Sequence, residues 1–491
     1  MRGRRRWLLA AAVLSVLAAA ALWLLLRPAA SLPQPGQTLL HASQGLDAIQ
    51  VQARLDTDTR ALSVTQTMTL QNRADQPLDS VVLRAWANAF RSADTSPCAS
   101  DELYDLCYPG GFSSGSVTMA QVKADGSDVP FRYLDAAKTV LFLPLSSPWQ
   151  AESTLTLSLT YQVEIPRAAC RFGVNDGVWA LGNAFIVPGV WQDGAWRTDE
   201  YLAVGDPFVS LCANWQVEIT LPEGCQCAGS AEPVQDGNVY RFEALAVRDF
   251  ALTVFEGFSK AQAMEEGVLV TAYARNARQA RRMLTYARQA LKCYDGRYGA
   301  YPYQSYTLCQ VNMPMSGMEY PAFSMIGADA LADAGDTLEK AVAHETAHQW
   351  WYAVVGSDAW NQPWQDEALA AFSALEYWGQ YHGQAARQEL EQSTAEYALR
   401  VTVSQGVTPG CPLDRFSTMS EYSLVVYDRG LALLCALDRL SGGLDGALAA
   451  YYQAYAFSLA SRDDFETCIS QATGEDIRPL LRDYLDTYIL H

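Results

Sequence analysis

Two of the five histidines in the chain stand four residues apart, in His344-Glu345-Thr346-Ala347-His348. Residues four apart on a helix share one face, so two neutral imidazoles there grip one ion while Glu345 projects beside them. A catalytic zinc takes three protein ligands and keeps a fourth position open for water, and a carboxylate commonly serves as the third ligand. Eighteen residues after His348 comes Glu367, completing H-E-x-x-H-x18-E. With so few histidines, a chance H-E-x-x-H has a probability on the order of a few in a thousand. The alternative reading is a pair of helix histidines with exposed carboxylates.

The elements that must position these groups are legible in part. Asp336 and Glu339 have capping-box spacing, apolar residues recur through Ala341, Val342 and Trp350, and Gly356 is a natural stop. Glu367 falls early in a second helix that Gly383 ends, so residues 356–363 become the loop of an antiparallel pair. Upstream, residues 277–294 read as a helix and Ser305–Val311 as a strand. From 46 to 257 the pattern changes to short strands and turns: Leu62, Val64, Met68 and Leu70 recur with period two, as do Leu155, Leu157 and Leu159. The expectation is an α+β multidomain chain, with an all-β sandwich or saddle domain at 46–257 and a mainly helical domain at 258–491.

The sequence around these residues resembles the gluzincin metallopeptidases of the aminopeptidase N family, which includes the leukotriene-hydrolysing aminopeptidase. Residues 344–356 (HETAHQWWYAVVG) are similar to that family's zinc helix, and 360–372 (WNQPWQDEALAAF) to its third-ligand helix. Ser316-Gly317-Met318-Glu319-Tyr320 resembles the exopeptidase motif G-[AG]-M-E-N, and Tyr427-Asp428-Arg429-Gly430 resembles Y-x-[KR]-G. The resemblance implies a thermolysin-like catalytic domain holding one zinc ion on His344, His348 and Glu367. It makes Glu345 the general base and Tyr427 the donor to the oxyanion. Glu319 would pair with a peptide's free amine, beside Gly317 and Met318 in the substrate-binding strand, with Gly317 letting peptide backbone approach closely. Ser316 and Tyr320 depart from the motif, in which Gly and Asn are usual. The function implied is a zinc aminopeptidase acting on oligopeptides. One alternative is an endopeptidase with relaxed amine recognition, prompted by Tyr320, and another is a non-catalytic binding ectodomain. Tyr422 is a further candidate for lining the cleft.

Composition bounds the setting. The chain has 491 residues, 35 Lys+Arg against 54 Asp+Glu and a formal net charge of −19, so nucleic acid is not an expected partner. Arginines crowd residues 1–6, a basic tail, and an uncharged stretch follows at 7–26, long enough at ~1.5 Å per residue to span a ~30 Å hydrocarbon core. The reading is a single transmembrane signal-anchor with the N-terminus cytoplasmic, a linker at 27–45 and the catalytic domain extracytoplasmic. A cleaved secretory signal, with secretion, is the alternative. Eleven cysteines fit an oxidising compartment, with Cys98 and Cys107 the best local pair. Cys225-x-Cys227 reads as disulfide or packing rather than metal binding.

Overall fold

Alternation of apolar and polar residues builds the N-terminal half. The computed structural model describes residues 34, 36–97, 103–333 and 335–487. Strands β1 (Asp47–Asp56) and β2 (Ala61–Gln71) pair antiparallel. Ile49, Val51, Leu62, Val64 and Met68 are turned into the core with the buried Gln66, while Gln50, Ser63 and Thr65 face outward. With β3 (Ser116–Ala124), β4 (Thr154–Glu164), β5 (Ala213–Thr220) and β6 (Val239–Val247) they make an eight-stranded sheet. Its order is Val234–Asp236, β6, β5, β1, β2, β4, β3 and Ser127–Asp128. The β1–β5 pair is parallel and the others are antiparallel. Two four-stranded sheets complete this half.

The second half opens with a five-stranded mixed sheet. It is formed by β7 (Ser259–Glu265), β8 (Val268–Ala274), β9 (Ser305–Val311), β10 (Gly317–Tyr320) and β11 (Phe323–Gly327), in the order β7-β8-β9-β11-β10. β8, β9 and β11 run parallel, while β10 lies antiparallel to β11 at the sheet edge. The strands β8, β9 and β11 are buried along their whole lengths, so they are largely apolar and show no inside–outside alternation. Helix α1 (Ala277–Tyr298) is capped by Asn276, whose side chain accepts from the Gln279 amide. It packs on α2 (Thr337–Ala347), where the Tyr294 hydroxyl donates to the Ala343 carbonyl at 2.9 Å. Helices α3 (Trp364–His382) and α4 (Gly430–Ser441) enclose the other side. Both halves share one compact unit, residues 35–491.

Three expectations are corrected. No membrane-spanning helix belongs to the fold described: among the described residues no helix is long and apolar enough to cross a membrane, and the stretch 7–26 lies outside them. No capping box closes α2. Asp336 pairs instead with Lys340 at 2.8 Å, and Glu339 accepts from the hydroxyl of Tyr377 at 2.8 Å and bonds His382 at 2.9 Å. Gly356 does not stop that helix, which ends at Ala347. Gly356 is instead the place where the buried Arg248 guanidinium crosses the chain, and a Cβ there would collide with it. Cys98 lies outside the described residues, while Cys225 and Cys227 are thiols.

Candidate active site

Helix α2 ends one residue before His348, whose backbone stays helical at φ −61° and ψ −13°, so His344 and His348 present their rings to the same side. Their Nε2 atoms are 3.0 Å apart, and each lies 3.3 Å from Glu367 Oε2. Tetrahedral ligands at ~2.0–2.1 Å from a zinc ion lie about 1.6 bond lengths apart, or roughly 3.3 Å, so this triangle has the size of one face of such a site. The proton positions agree. His348 Nδ1 is 3.0 Å from the Trp351 carbonyl, which can only accept, and 2.7 Å from Asp366 Oδ1. Nδ1 therefore carries a hydrogen, and Nε2 is the ring atom left facing the triangle. Asp366 is a functional residue that sequence reasoning missed. Its only signal was a second acid beside Glu367.

Glu367 sits in the first turn of α3, where the helix dipole favours negative charge. Burial opposes its ionisation, but hydrogen bonds and charge from His344 and His348 outweigh that and hold its carboxyl below the usual range. Burial lowers the proton affinity of the His344 ring and favours its neutral, ligating form. Glu345 is shifted the other way: burial, with Glu367 nearby, pushes its carboxyl up to about 8 against the pull of His348. Its Oε2 is buried with no hydrogen-bond partner. Gly317 on β10 makes room for this side chain, since a Cβ there would collide with the Glu345 carboxyl. The glycine therefore gives Glu345 its space, and it also lines the cavity into which a peptide was expected to come.

Tyr427 lies in a π-helical stretch, Ser423–Arg429, that leads into α4. Its hydroxyl donates to Glu367 Oε1 at 2.6 Å, and its ring stacks on His344 at 5.6 Å. Burial keeps the phenol protonated, so it remains a donor. The approach depends on Gly430, where a Cβ would meet Ala368 at 2.7 Å. Tyr422 is buried and stands edge-on to Tyr427 at 5.7 Å.

His344, Glu345, Glu367 and Tyr427 line a cavity of about 590 Å³. Glu319 and Met318 enter it from β10, and Cys170, Arg171 and Asp206 from the β-rich half. Glu319 is 5% exposed, and among the described residues its carboxylate has no hydrogen-bond donor. Burial, only partly opposed by His348, raises its carboxyl well above the usual value. Arg171 pairs with Asp206 and lies 3.3 Å from the Met318 sulfur. Neither Arg171 nor Asp206 was signalled by the sequence. Tyr320 is completely buried and points away: its hydroxyl donates to Asn183 Oδ1 at 3.0 Å, and Gly182 leaves the space for it.

Residues 250–484 match the peptidase family M1 domain. The chain carries a peptidase family M1 domain. Leukotriene A-4 hydrolase of Xenopus laevis is 27% identical over 190 residues, 36% of this chain and 30% of that protein. Aminopeptidase N of Lactobacillus helveticus is 28% identical over 406 residues, 75% of this chain and 46% of that protein. The chain spans less than half the length of these two curated relatives. Among solved structures, yeast LTA4 hydrolase superposes with a TM-score of 0.66 at 16% identity, covering 91% of this chain and 68% of that one. The M1 zinc metallopeptidase from Deinococcus radiodurans gives 0.62 at 16% identity, covering 94% and 96%. At that identity the superpositions establish the fold, an N-terminal β domain followed by the helical M1 domain. Family and donor set together assign one catalytic zinc.

Proposed function

We propose that the chain is a zinc-dependent aminopeptidase that removes N-terminal residues from oligopeptides. The observation that carries this reading is Glu319, a buried carboxylate facing the cavity with no donor of its own beside the metal-ligand triangle. Burial there favours the uncharged carboxyl until a cation arrives, and a peptide's α-ammonium supplies one at a fixed distance from the scissile bond. The free edge of β10 supports the same reading, since an extended peptide can add to it as a further strand.

When bound at His344, His348 and Glu367, zinc supplies Lewis-acid polarisation of the scissile carbonyl and a water whose pKa falls from ~15.7 toward ~7. Glu345 takes a proton at Oε2, the buried oxygen that lacks a partner, and passes it to the leaving nitrogen. Tyr427 turns its hydroxyl from Glu367 to the oxyanion as charge develops there. Asp366 holds His348 in the ligating tautomer. The arginine cluster and apolar stretch of residues 1–26 support action outside the cytoplasm, which cell fractionation checks.

The endopeptidase reading rested on Tyr320, and the burial of that side chain away from the cavity removes its support. Comparing a free-amine peptide with its N-acetylated twin tests the proposal. The free amine is cleaved faster by about tenfold or more, the worth of a hydrogen bond to a charged group. Equal rates overturn it.

A further inference from the structure

The cavity has a direction. Glu319 lies with His348 and Asp366, their ligand-type atoms all within 4.8 Å of one another, at the C-terminal end of α2. The cavity continues the opposite way past the triangle, between Lys340 and Ala341 of α2 and Ala371, Ala374 and Leu375 of α3. Lys340 stands one helical turn, ~6 Å, before His344. Its ammonium is 4.9 Å from the centre of the Trp378 ring and 2.8 Å from Asp336. The metal ligands therefore stand between a buried carboxyl at one end and an ammonium at the other.

The described residues lining the cavity include two Lys or Arg side chains, Arg171 and Lys340. Arg171 is 6% exposed and is held by Asp206. The Lys340 side chain is 41% exposed, and so is its partner Asp336, at 51%. An exposed pair of this kind contributes only ~0–1 kcal/mol, and an ammonium has three N–H donors, so Lys340 can receive a second carboxylate. A peptide with its amine at Glu319 and its first carbonyl at the triangle sends its C-terminal part toward Lys340. The Lys340 ammonium leans a further turn toward Asp336, so it lies ~6–12 Å along the helix from His344; at ~3.3–3.6 Å per extended residue that corresponds to about two to four residues beyond the scissile bond.

We propose that Lys340 receives the terminal α-carboxylate of short substrates, so that the enzyme selects peptides with about two to four residues beyond the scissile bond over longer or C-terminally blocked ones. This inference rests on the aminopeptidase reading, and its test separates the two. The kcat/KM of a leucyl tripeptide, its C-terminal amide and its N-acetyl twin is measured on the zinc-loaded protein. The free acid exceeds the amide by about tenfold or more, mainly through KM, because the contact is made equally in the ground and transition states. Lys340→Met brings the acid-to-amide ratio toward one, and Lys340→Arg preserves it. Equal use of acid and amide by the wild-type protein, or a ratio unchanged by Lys340→Met, overturns the assignment. Cleavage of the N-acetyl peptide as fast as the free amine overturns the aminopeptidase reading instead.

Discussion

Glu345 and Glu367 flank the same two imidazoles, yet their proton affinities are driven in opposite directions, up to about 8 in one and below the usual range in the other. Under the proposed function that separation divides their work: Glu367 stays anionic as a ligand, while Glu345 is basic enough to accept a proton. Asp366 belongs to the same group. Removing its carboxylate in Asp366→Ala leaves only the Trp351 carbonyl on His348 Nδ1, and zinc affinity falls about 10–100-fold by chelator competition. Asp366→Asn keeps an acceptor and loses less. Unchanged affinity in the alanine variant would show that Trp351 alone fixes the ring. That His344, Glu345, His348, Glu367 and Tyr427 come together was legible because H-E-x-x-H, its distant Glu and Y-x-[KR]-G are motifs read along the chain. Asp366 was not, because an acid beside a ligand becomes meaningful only once α3 lies against α2.

At the scale of elements, the zinc helix is held from outside its own segment. Arg248, 2% exposed, donates to the carbonyls of Tyr352 at 2.7 Å, Val354 at 3.0 Å, Ser210 at 3.0 Å and Ser458 at 2.5 Å. It thereby fixes the turn just after His348, in which Tyr352 adopts φ 129°. Arg248→Met leaves the carbonyls of Tyr352 and Ser210 unpaired at ~1–3 kcal/mol each, while those of Val354 and Ser458 keep the Phe457 and Gly356 amides, so the thermal midpoint falls and zinc binding weakens with it. A variant as stable as wild type, with full zinc affinity, contradicts this role. The spacing of apolar residues located both site helices and the Gly383 terminus, where φ is 94°. It misplaced the end of α2 because Gly356 answers to a guanidinium more than a hundred residues upstream in sequence. The π-helical stretch carrying Tyr427 left no periodic signal, since it depends on Gly430 packing against Ala368.

Across the whole molecule, the β-rich half and the M1 domain share a buried polar chain running from Tyr320 through Asn183 to Asp249. Asp249 accepts from Asn183 at 2.6 Å and from the Phe250 amide at 2.7 Å, and burial raises its carboxyl from 3.8 to about 7. The native chain therefore keeps a proton that the unfolded chain releases between those values. This contribution to stability is complete below about pH 4 and is lost at ~1.4 kcal/mol per unit as pH rises toward 7. Asp249→Asn removes that slope, so the stability of the variant relative to wild type increases between pH 5 and 7 in urea titrations. A constant difference across that range contradicts the assignment. Alternating strands and a helical second half were readable from pattern alone, but the joint between them was not, because it is made by single polar contacts between distant segments.

The central claim is that His344, His348 and Glu367 hold one zinc ion at which Glu345 does the proton transfer. Metal content by elemental analysis, measured with peptide hydrolysis on wild type and Glu345→Gln, tests it most directly. The account predicts one zinc per chain in both proteins, with hydrolysis in the variant reduced by about 10²–10⁴-fold. An active wild-type preparation without stoichiometric zinc, or a zinc-loaded Glu345→Gln that cleaves as fast as wild type, would contradict it.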